Sequence, residues 1–152
     1  MVDTYALVRA VVAIPVWREA HWLVHFPPME QQSLYDRIGG QAAVMAAVDL
    51  FYQKVMADEL TRPFFEQLDL DAQIQKQISF MTWAFGGPTE YRGRSLRSAH
   101  ARLVKELGLT DAHFDAVAAH LASTLRELDV PAELAAEALT IVASVRAEVL
   151  GR

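Results

Sequence analysis

Residues 71–85, DAQIQKQISFMTWAF, run into GGPTEYRGRS at 86–95 and then into LRSAHARLVKEL at 96–107. In the third run Leu96, His100, Leu103 and Leu107 fall at i, i+4, i+7 and i+11 and share one face of a helix, so His100 points inward among leucines. A buried imidazole without a partner is costly. Read from the residues alone, His100 is either a core histidine satisfied by a hidden hydrogen bond or a nitrogen donor for a metal.

The first run carries two adjacent stripes at about 100° per residue. Ile74, Ile78, Met81 and Phe85 form an ordinary core stripe. Beside it Gln73, Gln77, Phe80 and Ala84 form a second, in which two amides replace aliphatic side chains, with Lys76 at the edge. Either this stripe grades into solvent, as helix flanks do, or something polar meets the amides. Between the helices, Gly86-Gly87 allows left-handed backbone and Pro88 prevents helix continuation. Tyr91-Arg92-Gly93 prolongs the non-helical run, so a short flexible corner lets the two helical walls face each other.

Working outward, the chain of 152 residues is long enough for one domain with a real core. A formal net charge of -5 offers no footprint for nucleic acid, and no basic run suggests a membrane patch. The expectation is a cytosolic protein. With no cysteine there is no disulfide framework, thiolate nucleophile or thiolate metal ligand. HExxH, CxxC, EF-hand, Walker A and GxGxxG patterns are all missing. Tyr5 to Trp17 is largely apolar but interrupted by Arg9 and Pro15, too short and broken to span a bilayer. As a signal peptide it is weak, because Asp3 sits where positive charge belongs. Residues 1–30 therefore read as an N-terminal extension bounded by Pro27-Pro28, either a peripheral packing element or an over-extended reading frame ahead of Met29, and residues 31–152 as the domain.

Beyond Met29 the pattern is helical throughout, which makes the fold class all-α. A short helix at 33–38 stops at Gly39-Gly40, and the next places Val44, Val48, Phe51 and Val55 on one face with Tyr52 beside them. A tyrosine there ordinarily packs with its hydroxyl at the surface. Residues 58–63 read as a turn, and Phe64-Phe65 after it need something to cover them. Gly108 closes the His100 helix, and Thr110 or Asp111 caps a helix with Phe114, Val117, Leu121, Leu125 and Leu128 inward. Pro131 begins a final helix burying Leu134, Ala138, Ile141, Val145 and Val149.

Leu34-Tyr35, Gly39-Gly40, Phe51-Tyr52, Pro63-Phe64-Phe65, Phe85-Gly86-Gly87, Tyr91 with Gly93, Ala99-His100, Gly108-Leu109-Thr110 and His113-Phe114-Asp115 follow one another in an order and spacing that resembles the truncated globins, group I. The resemblance covers residues 33–152. It implies a two-over-two helical sandwich around a non-covalent haem b, with His100 as the iron ligand. It places Tyr52, Gln73 and Gln77 on the ligand side of the haem and Phe65, Lys76, Phe80 and Met81 around the cofactor or its ligand tunnel. Lys76 stands where some relatives carry an iron-ligating histidine. Pairing with a haem propionate is its expected role, with amine ligation at high pH as the alternative. Val145 stands where relatives that tether haem carry a histidine, so covalent attachment is not expected. His113 and His120 are assigned to helix capping and the surface, and His21 and His25 fall outside the match.

Dioxygen on ferrous iron takes on superoxide character, and a phenol and an amide donating to it in a dry pocket hold it tightly. Two or three donors at about 1 kcal/mol each slow its escape by one to two orders of magnitude. The resemblance thus implies binding of dioxygen, nitric oxide and carbon monoxide, with conversion of nitric oxide to nitrate as the leading activity. An external reductase is then needed, because the chain has no flavin or nicotinamide motif. An oxygen carrier, store or sensor without turnover is the rival, and a helical interaction module that has lost haem is a third reading.

Overall fold

The computed structural model describes residues 31–152. The expectations for the first 28 residues and for the boundary at Pro27-Pro28 lie outside the described residues. Ser33 opens the first helix by accepting the Asp36 amide at 3.2 Å, and α1 (Leu34–Ile38) ends at Gly39. Helix α2 (Gly40–Ala57) buries Val44, Val48, Phe51 and Val55, the face that the spacing selects, together with Ala47 and Tyr52.

Side chains close the end of α2. Asp58 accepts the Leu60 amide at 2.9 Å, and the fully buried Thr61 donates its hydroxyl to the Val55 carbonyl at 2.7 Å. That carbonyl belongs to the last turn, where no amide of the helix reaches. A 3-10 turn (Arg62–Phe64) follows. Phe64 is covered by the His113 ring, 4.8 Å between centroids, and Phe65 meets the Tyr52 ring at 5.7 Å.

Asp69 caps α3 (Leu70–Ala84) through the Ala72 amide at 3.1 Å, and Ser95 caps α4 (Leu96–Glu106) through the Ser98 amide at 3.3 Å. Helix α5 (Asp111–Glu127) begins with the Thr110 amide donating to His113 Nδ1 at 3.0 Å, the capping role expected of His113. Helices α6 (Ala132–Ser144) and α7 (Arg146–Val149) complete the chain. Among the described residues all regular structure is helical.

Helix α2 packs on α3 and α5, α5 packs on α6, and α1 bridges α2 and α6. The pairs α2/α3 and α5/α6 are the layers of the two-over-two sandwich. Between them Leu34, Val44, Val48, Phe51, Val55, Met81, Phe85, Leu121, Leu125 and Ala138 form the core. Burying each large aliphatic or aromatic side chain of this set contributes roughly 1.5–3 kcal/mol.

Three sequence expectations change at helix ends. Leu107 and Leu128 continue their apolar stripes on paper, but each is a C-cap residue, 48% and 38% exposed, because α4 and α5 stop one residue earlier. Pro131 is the N-cap of α6 rather than its first residue. The final helix is broken at Val145, whose amide bonds the Val142 carbonyl at 3.2 Å, one residue short of the α-helical partner. The break redirects the chain, so that Arg146 pairs with Asp111 and Asp115 of α5 while α7 packs on α4.

Candidate functional site

His100 sits in the second turn of α4, with its Nδ1 2.8 Å from the carbonyl of Leu96, one helical turn earlier. A carbonyl can only accept, so Nδ1 carries a proton, and in the neutral ring Nε2 is the nitrogen with the lone pair. The two readings left open by periodicity thus hold together: one ring nitrogen has the hidden partner, and the other remains free to bind a metal. The Leu96 bond also fixes the tautomer and orients the ring, as the supporting partners of metal-binding histidines do.

Helix α4 has no fully buried residue. Leu96, Leu103 and Val104 are half-buried, and the most extensive packing of α4 is on α7. Helices α3 and α4 share no extended packing. The corner between them turns at Gly86, with φ of 80°.

The wall formed by α2 and α3 is of different character. Tyr52 is 2% exposed, its ring in edge contact with Phe51 at 5.3 Å and Phe65 at 5.7 Å. Its hydroxyl therefore points inward, against the ordinary expectation for a tyrosine at a core edge. Gln73 reaches it from α3, Nε2 donating to the phenol oxygen at 3.4 Å. Burial pushes the Tyr52 phenol above its usual pKa, and the weaker effect of the Gln73 bond pulls the other way. The phenol stays protonated, and because Gln73 occupies an oxygen lone pair, the phenolic hydrogen remains available to another acceptor.

Gln77 and Phe80 are half-buried on the same stripe as Gln73, and Lys76 beside them is exposed with no ion-pair partner among the described residues. Met81 is buried on the core stripe and lines an apolar cavity of about 180 Å³ with Ile38, Val44, Ala47, Phe85 and Leu125. Tyr52, Gln73, Gln77 and His100 do not line that cavity.

His120, expected at the surface, is part-buried and lies 2.7 Å from the Asp58 carboxylate, tying α5 to the end of α2. The Leu96 carbonyl is the one contributor to the site that the sequence reading omitted, although its i−4 spacing from His100 was there to find.

The donor set decides which metal group fits. Among the described residues no three metal-ligating side chains converge, so a bare ion would be poorly held. A single oriented imidazole with a free nitrogen suits iron whose other in-plane donors come from a macrocycle. A haem fits these residues: one nitrogen donor on α4, apolar side chains on both walls, and a polar pair on the far wall.

Comparison with known proteins agrees. The profile of the bacterial-like globins matches residues 33–150. The 2/2 haemoglobin of Synechococcus, a structure with covalently attached haem, is 52% identical and superposes with a TM-score of 0.77, covering 80% of this chain and all of that one. The truncated haemoglobin of Tetrahymena pyriformis is 40% identical over 80% of this chain and 97% of its own length, and its ferric structure gives a TM-score of 0.73. A group 1 truncated haemoglobin of Synechocystis is 45% identical over 72% of this chain and 88% of its own. The chain belongs to the globins and, among them, to the group 1 truncated haemoglobins, haem proteins that bind diatomic gases. Among the described residues no helix is long and apolar enough to cross a membrane.

Proposed function

We propose that this protein binds dioxygen on a non-covalent haem b and supports conversion of nitric oxide to nitrate, with electrons from a separate reductase. The observation that carries the proposal is the buried Tyr52 hydroxyl, paired with Gln73 at 3.4 Å and enclosed by the rings of Phe51 and Phe65. When bound, haem supplies a ferrous iron that takes up diatomic gases and is left ferric when nitric oxide is converted.

The chain's own residues do the rest. His100 presents Nε2 from a ring locked by Leu96. Tyr52 holds its phenolic proton as a donor, and Gln73 and Gln77 add amide donors, so a polar ligand is preferred over carbon monoxide. Phe65 and Phe80 cover the macrocycle, excluding water and strengthening each polar contact. Lys76 is free to meet a haem propionate at the pocket edge. Met81, buried on the core stripe of α3, is assigned with Phe80 to the lining of the haem pocket or its ligand tunnel. Non-covalent attachment is supported by the sequence beyond His120, which contains no histidine.

Stopped-flow mixing of the oxygenated protein with nitric oxide tests the reading. Stoichiometric nitrate is expected, with oxygen dissociation about fivefold faster in Tyr52→Phe and in Gln77→Leu, the loss of roughly one hydrogen bond of about 1 kcal/mol each. Absence of nitrate reduces the function to gas carriage or sensing. Dissociation rates unchanged in both variants mean the donors lie elsewhere, and a normal haem spectrum in His100→Ala removes His100 from the iron.

A further inference from the structure

Residues 91–105 contain five cationic side chains, Arg92, Arg94, Arg97, Arg102 and Lys105, and no acidic one, in a chain whose formal net charge is -5. All five are exposed. Arg92 pairs with Glu90 in the open, both side chains at least 80% exposed, Arg102 pairs with Glu106, and Arg97 donates to the Arg152 carbonyl. Arg94 and Lys105 have no ion-pair partner among the described residues. Among the described residues the remainder of the chain carries 16 acidic side chains against seven basic ones, so positive charge is concentrated on the corner and α4.

The corner that carries Arg92 and Arg94 is held in place. The Tyr91 ring folds over Gly93, where a Cβ would come within 2.3 Å of it, and its hydroxyl donates to the Arg94 carbonyl at 3.1 Å. The other edge of that ring meets Phe80 at 5.3 Å and Trp83 at 5.6 Å. Trp83 is 49% exposed, whereas Phe80 lies on the stripe of Gln73 and Gln77. An exposed aromatic in ring contact with the arginine-bearing corner is therefore one side chain removed from the candidate haem wall.

We propose that the patch formed by Trp83, Tyr91, Arg92, Arg94 and Arg97 is the docking surface for an acidic one-electron carrier protein. The inference deepens the reading that a separate reductase returns the ferric iron to the ferrous state, and rests on it. Charge complementarity chooses the partner: the patch attracts an acidic carrier while the remaining acidic surface repels it, which steers encounter to this face. One electron leaves the carrier's reduced centre and one is gained by ferric iron, with no bond in either chain made or broken. Trp83 and Arg are the side-chain types that anchor interfaces, and the partner's carboxylates match the guanidinium forks.

The test uses the full-length haem-loaded protein and an acidic [2Fe–2S] ferredoxin. Titration of the oxidised carrier should perturb backbone amides of residues 83 and 91–97, with affinity falling steeply as salt rises. The pair Arg92→Glu and Arg94→Glu should weaken binding and slow reduction by the reduced carrier by about tenfold or more. Trp83→Ala should do the same without changing charge. Reduction by photoreduced deazariboflavin, a small uncharged donor, should be unaltered in all of them, with the haem spectrum of the parent. Equal binding and equal reduction in parent and variants, or perturbations on another face, would overturn the docking site. If docking follows the patch but nitric oxide is not converted after chemical reduction, the docking site stands and the turnover reading falls.

Discussion

Gly87→Ala tests how tightly the corner between α3 and α4 is built. A Cβ at Gly87 would lie 2.7 Å from Thr82 Cγ2 and 2.8 Å from Tyr35 Cγ and Cδ2. Carbon atoms in contact prefer about 3.5–4.0 Å, so both neighbours must retreat by roughly 0.7 Å or more. Neither has room. The Tyr35 ring belongs to the core, and Thr82 is β-branched within α3. Overpacking of this kind costs about 1–3 kcal/mol, and the reduced entropy of the unfolded alanine chain offsets about 0.4–1 of it. A net loss of about 1–2 kcal/mol is expected, a fall in Tm of about 3–8 °C for a chain of this length. Urea unfolding of the haem-loaded protein followed by circular dichroism measures it. Thr82→Ala in the same background should restore about 0.5–1 kcal/mol as a coupling energy. A Gly87→Ala protein as stable as the parent, or no coupling to Thr82, would refute the close-approach argument.

Further expectations follow from single contacts. Thr61→Val should cost about 1–2 kcal/mol, because the Val55 carbonyl loses its buried hydroxyl donor; unfolding within error of the parent would mean water replaces it. The Tyr52 phenol has a raised pKa in the folded state, so the unfolded chain loses that proton first. Stability from this group is complete below about pH 10 and declines as pH rises toward the folded value, a decline that Tyr52→Phe should lessen in alkaline unfolding. Asp58 has the opposite sign: the Leu60 amide first, and His120 second, hold its carboxyl below the usual range. Its contribution is present above that range and lost as pH falls through the folded value, and an acid-unfolding profile unchanged in Asp58→Ala would contradict this.

Much of the fold is legible in the sequence because its helices bury one face with regular spacing. Val44, Val48, Phe51 and Val55 appear at that spacing and are buried together. Periodicity has no endpoint, however, so it extends α4 to Leu107 and α5 to Leu128, where cap geometry has already ended the helix. It runs straight through Val145 for the same reason: the ion pairs of Arg146 with Asp111 and Asp115 join positions more than thirty residues apart. The His120–Asp58 contact spans 62 residues and leaves no local mark either.

At the candidate site, spacing alone finds His100, Gln73 and Gln77, because polar groups stand out on apolar stripes. It does not give the direction of the Tyr52 hydroxyl, which is decided by Phe51, Phe65 and Gln73 arriving from three places in the chain.

Helix α4 holds His100 yet buries none of its residues fully, and it is attached to the sandwich through α7. Few buried contacts mean a low free energy of local opening, so amide hydrogen exchange should be faster in α4 than in α2 or α5. The wall that carries His100 is then less cooperative than α2 or α5. On the proposed reading, capture of a haem at His100 would order one helix against a sandwich already folded, and the rate of haem loss would report the opening of that helix rather than the unfolding of the whole protein.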